Sequence, residues 1–208
     1  MGRILRSAAS DTLATSAMVL DGTERELIES CQRGDREAFR ELFEAHKDRV
    51  YSIALRYSGD EAAAMDIAQD TFLKLFSAIR DFRGGAQFET WLYRVVVNSC
   101  LDRKRRNRRL IPLVGEMLGM LRASGESVLQ RMLRAELSGR VQSAVSSLPP
   151  EQRIVIVLRY TQGLSYEEIA QVLGCSPGTV ASRLNRAHKV LERRLAHLAE
   201  ARGGRGGK

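Results

Sequence analysis

Cysteine is scarce: Cys31, Cys100 and Cys175 are the only three in 208 residues, and they lie far apart with no paired spacing. That argues against a disulfide framework and a zinc site, and it suits a reducing cytosol. Histidine is equally sparse, and His46, His188 and His197 each sit in a charged helical context, as surface histidines do. No metal site and no cofactor are expected. No uninterrupted apolar run approaches the roughly 20 residues of a membrane span, and the N-terminus lacks the apolar core of a signal peptide. The chain is therefore expected to be cytoplasmic, with no membrane insertion. A glycine-rich phosphate loop is missing, as is any convergent set of carboxylates or a nucleophile with a partner base, so the chain does not read as an enzyme. Negative charge is in the minority too. Against 25 Asp and Glu stand 33 Lys and Arg, a net charge of +8 that suits a polyanionic partner. The 44% hydrophobic content is ample for globular cores.

The most informative stretch is Leu164 to Leu195. Ser165 and Glu168 have the spacing of a capping box, which places a helix start at Tyr166. Ile169, Val172 and Leu173 form its apolar face, and Gly174 supplies the positive φ that ends it. Ser176 followed by Pro177 repeats the start signal. In the second helix Val180, Leu184, Ala187 and Leu191 repeat at helical spacing, which leaves Ser176 at the cap and Thr179, Ser182, Arg183, Asn185 and Arg186 on the opposite side. This is the pattern of a helix-turn-helix with groove-reading side chains; the plain alternative is a helical hairpin with a solvated face.

Taken in order, residues 1–21 show no sustained period and read as a mobile tail. From Thr23 the pattern is helical, with Gly34 and Asp35 punctuating before a long stripe of Ala38, Phe39, Leu42, Phe43, Val50, Tyr51, Ile53, Ala54 and Leu55. Ser58, Gly59 and Asp60 break it, and a third helix from Glu61 carries Asp66, Gln69, Asp70 and Lys74 away from its apolar residues. Next comes a loop with adjacent glycines, Gly84 and Gly85, flanked by Phe82, Phe88 and Trp91. Such a loop can present rings on which unstacked bases stack, or the rings can simply pack in the core. A buried helix follows, with Arg94, Asn98 and Asp102 on its polar side, and it runs into Arg103, Lys104, Arg105, Arg106, Asn107, Arg108 and Arg109. Six cations in seven residues exceed what a helix C-terminus needs and imply phosphate contact.

Residues 110–133 lose periodicity and read as a flexible linker, about 80 Å long if fully extended, although Leu113, Val114, Met117, Leu118, Met120 and Leu121 suggest that it docks on something. A helix with Leu137, Val141, Ala144, Val145 and Leu148 then stops at Pro149 and Pro150, and an almost wholly apolar helix spans Glu151 to Tyr160. The expected architecture is all-α: an N-terminal domain at 22–109, the linker, a C-terminal helix-turn-helix domain at 134–197, and a disordered basic tail at 198–208.

These motifs together resemble the extracytoplasmic-function (ECF) sigma factors, group IV of the sigma-70 family, over about residues 24–196. The resemblance rests on Asp66-Ile67-Ala68-Gln69-Asp70-Thr71-Phe72, on Phe82-Arg83-Gly84 through Phe88-Glu89-Thr90-Trp91-Leu92-Tyr93-Arg94 and Asn98, on Leu148-Pro149-Pro150-Glu151-Gln152-Arg153, and on Leu164-Ser165-Tyr166-Glu167-Glu168-Ile169-Ala170 to Gly178-Thr179-Val180. It implies that Asp66, Gln69, Asp70, Phe72 and Leu73 dock on the clamp of core RNA polymerase. It also implies that Gln87, Phe88, Trp91, Asn98, Arg103, Lys104 and Arg105 engage the promoter −10 element and capture a flipped non-template base, opening the promoter by binding alone. Ser176, Thr179, Ser182, Arg183, Asn185 and Arg186 would read the −35 element while the same domain contacts the polymerase flap, and an anti-sigma factor is implied by family analogy. Ala181, where Lys or Arg is usual, removes one phosphate contact, and Met65 replaces a common acidic residue. The competing readings are an operator-binding regulator, which has no need of the basic block and aromatic loop, and a basic DNA enzyme, for which no catalytic set is present.

Overall fold

Short-range signals set the helix limits. The structure, a computed structural model, describes residues 24–82, 87–102 and 139–203, with side chains to residue 196. The eight helices among them are α1 (24–32), α2 (Arg36–Ser58), α3 (Glu61–Ala78), α4 (Phe88–Leu101), α5 (139–146), α6 (Pro150–Thr161), α7 (Tyr166–Leu173) and α8 (Pro177–Gly203). A short 3-10 turn, Ile79–Asp81, follows α3.

Asp35 caps α2 by accepting the N–H groups of Glu37 and Ala38, at 2.9 and 3.2 Å. Gly59, at φ 74°, ends the same helix, and Asp60 caps α3 through the Ala63 N–H at 2.8 Å. Both arms of the expected capping box are present: Glu168 N–H donates to Ser165 Oγ at 3.1 Å, and Ser165 N–H donates to Glu168 Oε2 at 2.6 Å. Pro150 is not the end of one helix but the first residue of the next, where its missing N–H leaves nothing unsatisfied. The last helix departs from expectation as well. It continues to Gly203, past the limit expected at residue 197, because Ala199, Glu200, Ala201 and Arg202 are strong helix formers and the first breaker is the glycine pair that follows.

The N-terminal helices pack around fully buried rings and aliphatics. Phe43 and Phe72 meet at 4.4 Å between centroids, and Phe39 meets Phe76 edge-to-face at 4.8 Å. Ile154, Val155, Val157 and Leu158 of α6 form the centre of the C-terminal group, closed by Ile169 of α7 and by Val180, Leu184 and Ala187 of α8. The sequence suggests two domains on a long tether, yet here the two groups touch. α2 packs on α6, α4 packs on α7, and one buried cluster is continuous through both groups. The linker itself, residues 110–133, lies outside the described residues, as do 1–21 and the tail beyond Gly203.

Candidate polymerase and nucleic-acid interfaces

Along α3, Ala64, Ala68, Thr71, Phe72 and Leu75 are buried at helical spacing, which turns Asp66 outward and leaves Gln69, Asp70 and Leu73 half-buried beside it. Positions 66, 69, 70 and 73 follow the i, i+3, i+4, i+7 pattern of a single stripe. Phe72 does not belong to it. The expectation that Phe72 takes part in docking is corrected: its ring is 0% exposed, locked against Phe43, and has no surface to offer a partner.

The second constellation gathers around the start of α4. Phe82, Phe88 and Trp91 form a triangle with ring centroids 5.0 to 5.7 Å apart. Phe88 is its buried member, only 4% exposed, and the His46 ring lies 5.5 Å from it on the far side. Phe88 is therefore a support for the cluster rather than a surface for a base, which corrects its expected direct role. Trp91 keeps part of its surface, and Gln87 and Asn98 are exposed. Arg103, Lys104 and Arg105 lie outside the described residues, as do residues 83–86 of the glycine loop.

Three supports of this cluster come from distant parts of the chain. Gln32 of α1 donates its amide to the carbonyls of Ile79 and Phe82, at 3.2 and 2.7 Å, and pins the chain where it enters the loop. Arg49 of α2 pairs with Glu89 in the first turn of α4, holding that helix start in place. His46, expected at the surface, is instead 8% exposed, and its Nδ1 has no hydrogen-bond partner. Burial, reinforced by the nearby Arg49 cation, lowers its pKa from 6.5 to about 4; Glu24, 3.8 Å away and more exposed, does not offset this. Since the folded state disfavours the proton, His46 contributes stability above pH 6.5 that is lost as the pH falls from 6.5 toward 4. The shift corresponds to about 3 kcal/mol. Replacing His46 with Gln is expected to shrink the fall in unfolding free energy between pH 7 and pH 4 by about that amount, as read from urea midpoints. Equal pH profiles for the two proteins would contradict a buried neutral imidazole.

The third constellation lies on α8. Ser176 caps the helix through the Thr179 N–H at 3.2 Å and exchanges a 3.0 Å hydroxyl contact with Thr179, so both side chains also serve the helix start. Ser182 donates to the Thr179 carbonyl at 2.9 Å, and Arg183 reaches back to Glu151 of α6 at 2.6 Å. Asn185 and Arg186 project into solvent on the same side. Val180, Leu184 and Ala187 anchor the opposite side. Cys31 and Cys100 are buried, and Cys175 lies part-exposed in the turn before Ser176. All three are free, and burial raises the thiol of Cys31 to about 11 and that of Cys100 to about 12.

Sigma-70 region 2 matches residues 42–110 and sigma-70 region 4 matches residues 138–200. The chain is 32% identical over 179 residues to the ECF RNA polymerase sigma factor SigW of Bacillus subtilis, covering 82% of this chain and 96% of that protein. The chain belongs to the ECF RNA polymerase sigma factors. The RNA polymerase sigma-H factor of Pseudomonas aeruginosa is 33% identical over 189 residues, 87% of this chain and 98% of that protein. The solved structure of CnrH in complex with the cytosolic domain of CnrY matches with a TM-score of 0.59 and 28% identity over 83% of this chain and 97% of that one. A second, the sigma factor RpoE in complex with the anti-sigma factor NepR from Bartonella quintana, gives 0.53 and 25% over 76% and 96%. As an ECF sigma factor the chain is an alternative sigma factor that recognises promoters. The helix-turn-helix α7–α8 lies inside its region 4 except for the last three residues of α8, and the α3 stripe and aromatic cluster lie inside its region 2.

Proposed function

We propose that this sigma factor binds core RNA polymerase in the bacterial cytoplasm through the α3 stripe of Asp66, Gln69, Asp70 and Leu73, and places two separate DNA-reading surfaces on one promoter. Thr179, Ser182, Asn185 and Arg186 on α8, with Ser176 at its start, read the −35 element in the major groove. Arg183 is held toward Glu151 and acts at the edge of that surface. Trp91, with Gln87 and Asn98 beside it, takes a base flipped from the non-template strand, while Arg103, Lys104 and Arg105 draw in the phosphate backbone. Binding supplies the free energy for strand opening, and the chain makes or breaks no covalent bond. An anti-sigma factor is a fitting regulator, since two solved structures of similar fold were obtained with such regulators or a cytosolic partner domain.

The observation that carries this reading is the sorting of α3. Its most apolar positions turn inward and leave a stripe headed by the exposed Asp66, with Gln69, Asp70 and Leu73 half-buried along it. Charge reversal by Asp66→Arg is expected to weaken core-polymerase binding about 100-fold while leaving promoter-DNA affinity unchanged. Native core affinity in this variant would move the polymerase contact away from α3.

A further inference from the structure

The contact between the two helical groups, whose apolar part is the shared buried cluster, is bordered by side chains that donate to carbonyls at helix C-termini. Gln142 of α5 donates to the Arg56 carbonyl at 2.8 Å, and Arg153 of α6 donates to the Tyr57 carbonyl at 3.1 Å with its guanidinium 5.1 Å above the Tyr57 ring. Both carbonyls belong to the last turn of α2, the negative end of that helix. Tyr93 and Gln162 add a long hydroxyl contact at 3.5 Å.

The fourth contact involves a residue with a second use. Arg94 of α4 donates through Nε and Nη2 to the Gln171 carbonyl, at 3.1 and 2.8 Å. At the end of α7, Gly174 and Cys175 both return their N–H groups to Ala170, and the neighbouring Gln171 carbonyl takes the cation. On α4 itself, residues 91, 94 and 98 follow the i, i+3, i+7 spacing, so Arg94 sits between Trp91 and Asn98 on one stripe. A strand whose base is held by those two residues runs its phosphates past position 94. A guanidinium prefers a phosphate to a neutral carbonyl, because the charged acceptor takes two parallel hydrogen bonds.

We propose that Arg94 has two mutually exclusive partners, the Gln171 carbonyl in the closed chain and a phosphate of the captured −10 strand in the open chain, so that region 4 and promoter DNA compete for one side chain. The proposal rests on α4 being the −10 face. DNA capture then releases region 4 from region 2, and closure lowers the affinity of the free chain for single-stranded promoter DNA. Losing one hydrogen bond of the closed contact shifts the balance toward the open form about fivefold.

The test uses the full chain and a short single-stranded DNA selected by the wild-type protein from a randomised pool. Small-angle scattering reports opening, and titration at several salt concentrations reports affinity and phosphate contacts. Adding the strand is expected to raise the radius of gyration of the wild type. Gln142→Ala loosens closure without touching the α4 stripe, so it should raise DNA affinity about fivefold and leave the salt slope unchanged. Arg94→Ala removes two charge-assisted bonds and so loosens closure at least as much, but it should show no gain in affinity, with a salt slope smaller by about 0.7, the single-strand value for one phosphate. A strand that binds while the chain stays compact, or an Arg94→Ala variant that gains affinity like Gln142→Ala, would overturn the competition. If no variant selects or binds any strand, the −10 assignment of α4 fails and the proposal falls with it, whereas the scattering still shows whether the chain is closed.

Discussion

Trp91→Ala is expected to weaken binding of the single-stranded −10 sequence by about 5- to 150-fold, the consequence of losing one aromatic stack worth about 1 to 3 kcal/mol. The ring is backed by Phe82 at 5.0 Å and Phe88 at 5.7 Å, which fixes its plane before any base arrives. A pre-set platform loses little conformational freedom on binding, so most of the stacking energy appears as affinity. In the wild type the fluorescence of Trp91, the only tryptophan in the chain, reports the stack, and a dye-labelled strand titrated by anisotropy gives the affinity of the variants, which have no tryptophan. Trp91→Phe should restore most of the affinity, since a smaller ring still offers a π-face. An alanine variant that binds the strand as tightly as wild type would show that Trp91 serves only packing.

Phe72→Ala is expected to act on the fold instead, lowering unfolding free energy by about 3 to 5 kcal/mol. The side chain is fully enclosed, and truncation leaves a cavity against Phe43 in a close-packed core where Leu42 and Leu75 are also fully buried. Urea midpoints would show this directly. The comparison with Asp66→Arg separates two roles that neighbour each other in one motif: the inner position changes stability, and the outer position changes polymerase affinity. A Phe72→Ala protein of native stability that no longer binds core polymerase would return Phe72 to the docking surface.

Much of the architecture is legible in the sequence because its signals are local. The Ser165–Glu168 capping box and the glycine stops at Gly59 and Gly174 act within a few residues and are found as expected, and Asp35, expected only to punctuate, caps α2. The inward and outward sides of α8 also follow from periodicity alone. The burial of Phe72 was legible by the same means, since it falls four residues after Ala68 and three before Leu75 on the buried stripe. A family motif treated as one surface hides that alternation. His46 and Phe88 are different, because their burial depends on the packing of α2 against α4 across about forty residues of sequence, and no local period encodes it. Gln32 pinning the loop entry and Arg49 pairing with Glu89 are equally non-local. So is the docking of region 4 on region 2, where Arg94 and Gln171 are 77 residues apart. A long linker suggests independence, but helix ends and side-chain donors decide contact only once both are folded.

Reconstituted transcription decides whether the chain is a polymerase subunit: purified core RNA polymerase, supercoiled DNA carrying a promoter selected by this sigma factor, and nucleotides, with and without the chain. Specific initiation is expected only when the chain is present, with loss in Asp66→Arg through failed assembly and loss in Trp91→Ala through failed strand opening on an assembled complex. A chain that binds its DNA yet neither joins core polymerase nor starts a transcript would contradict that role.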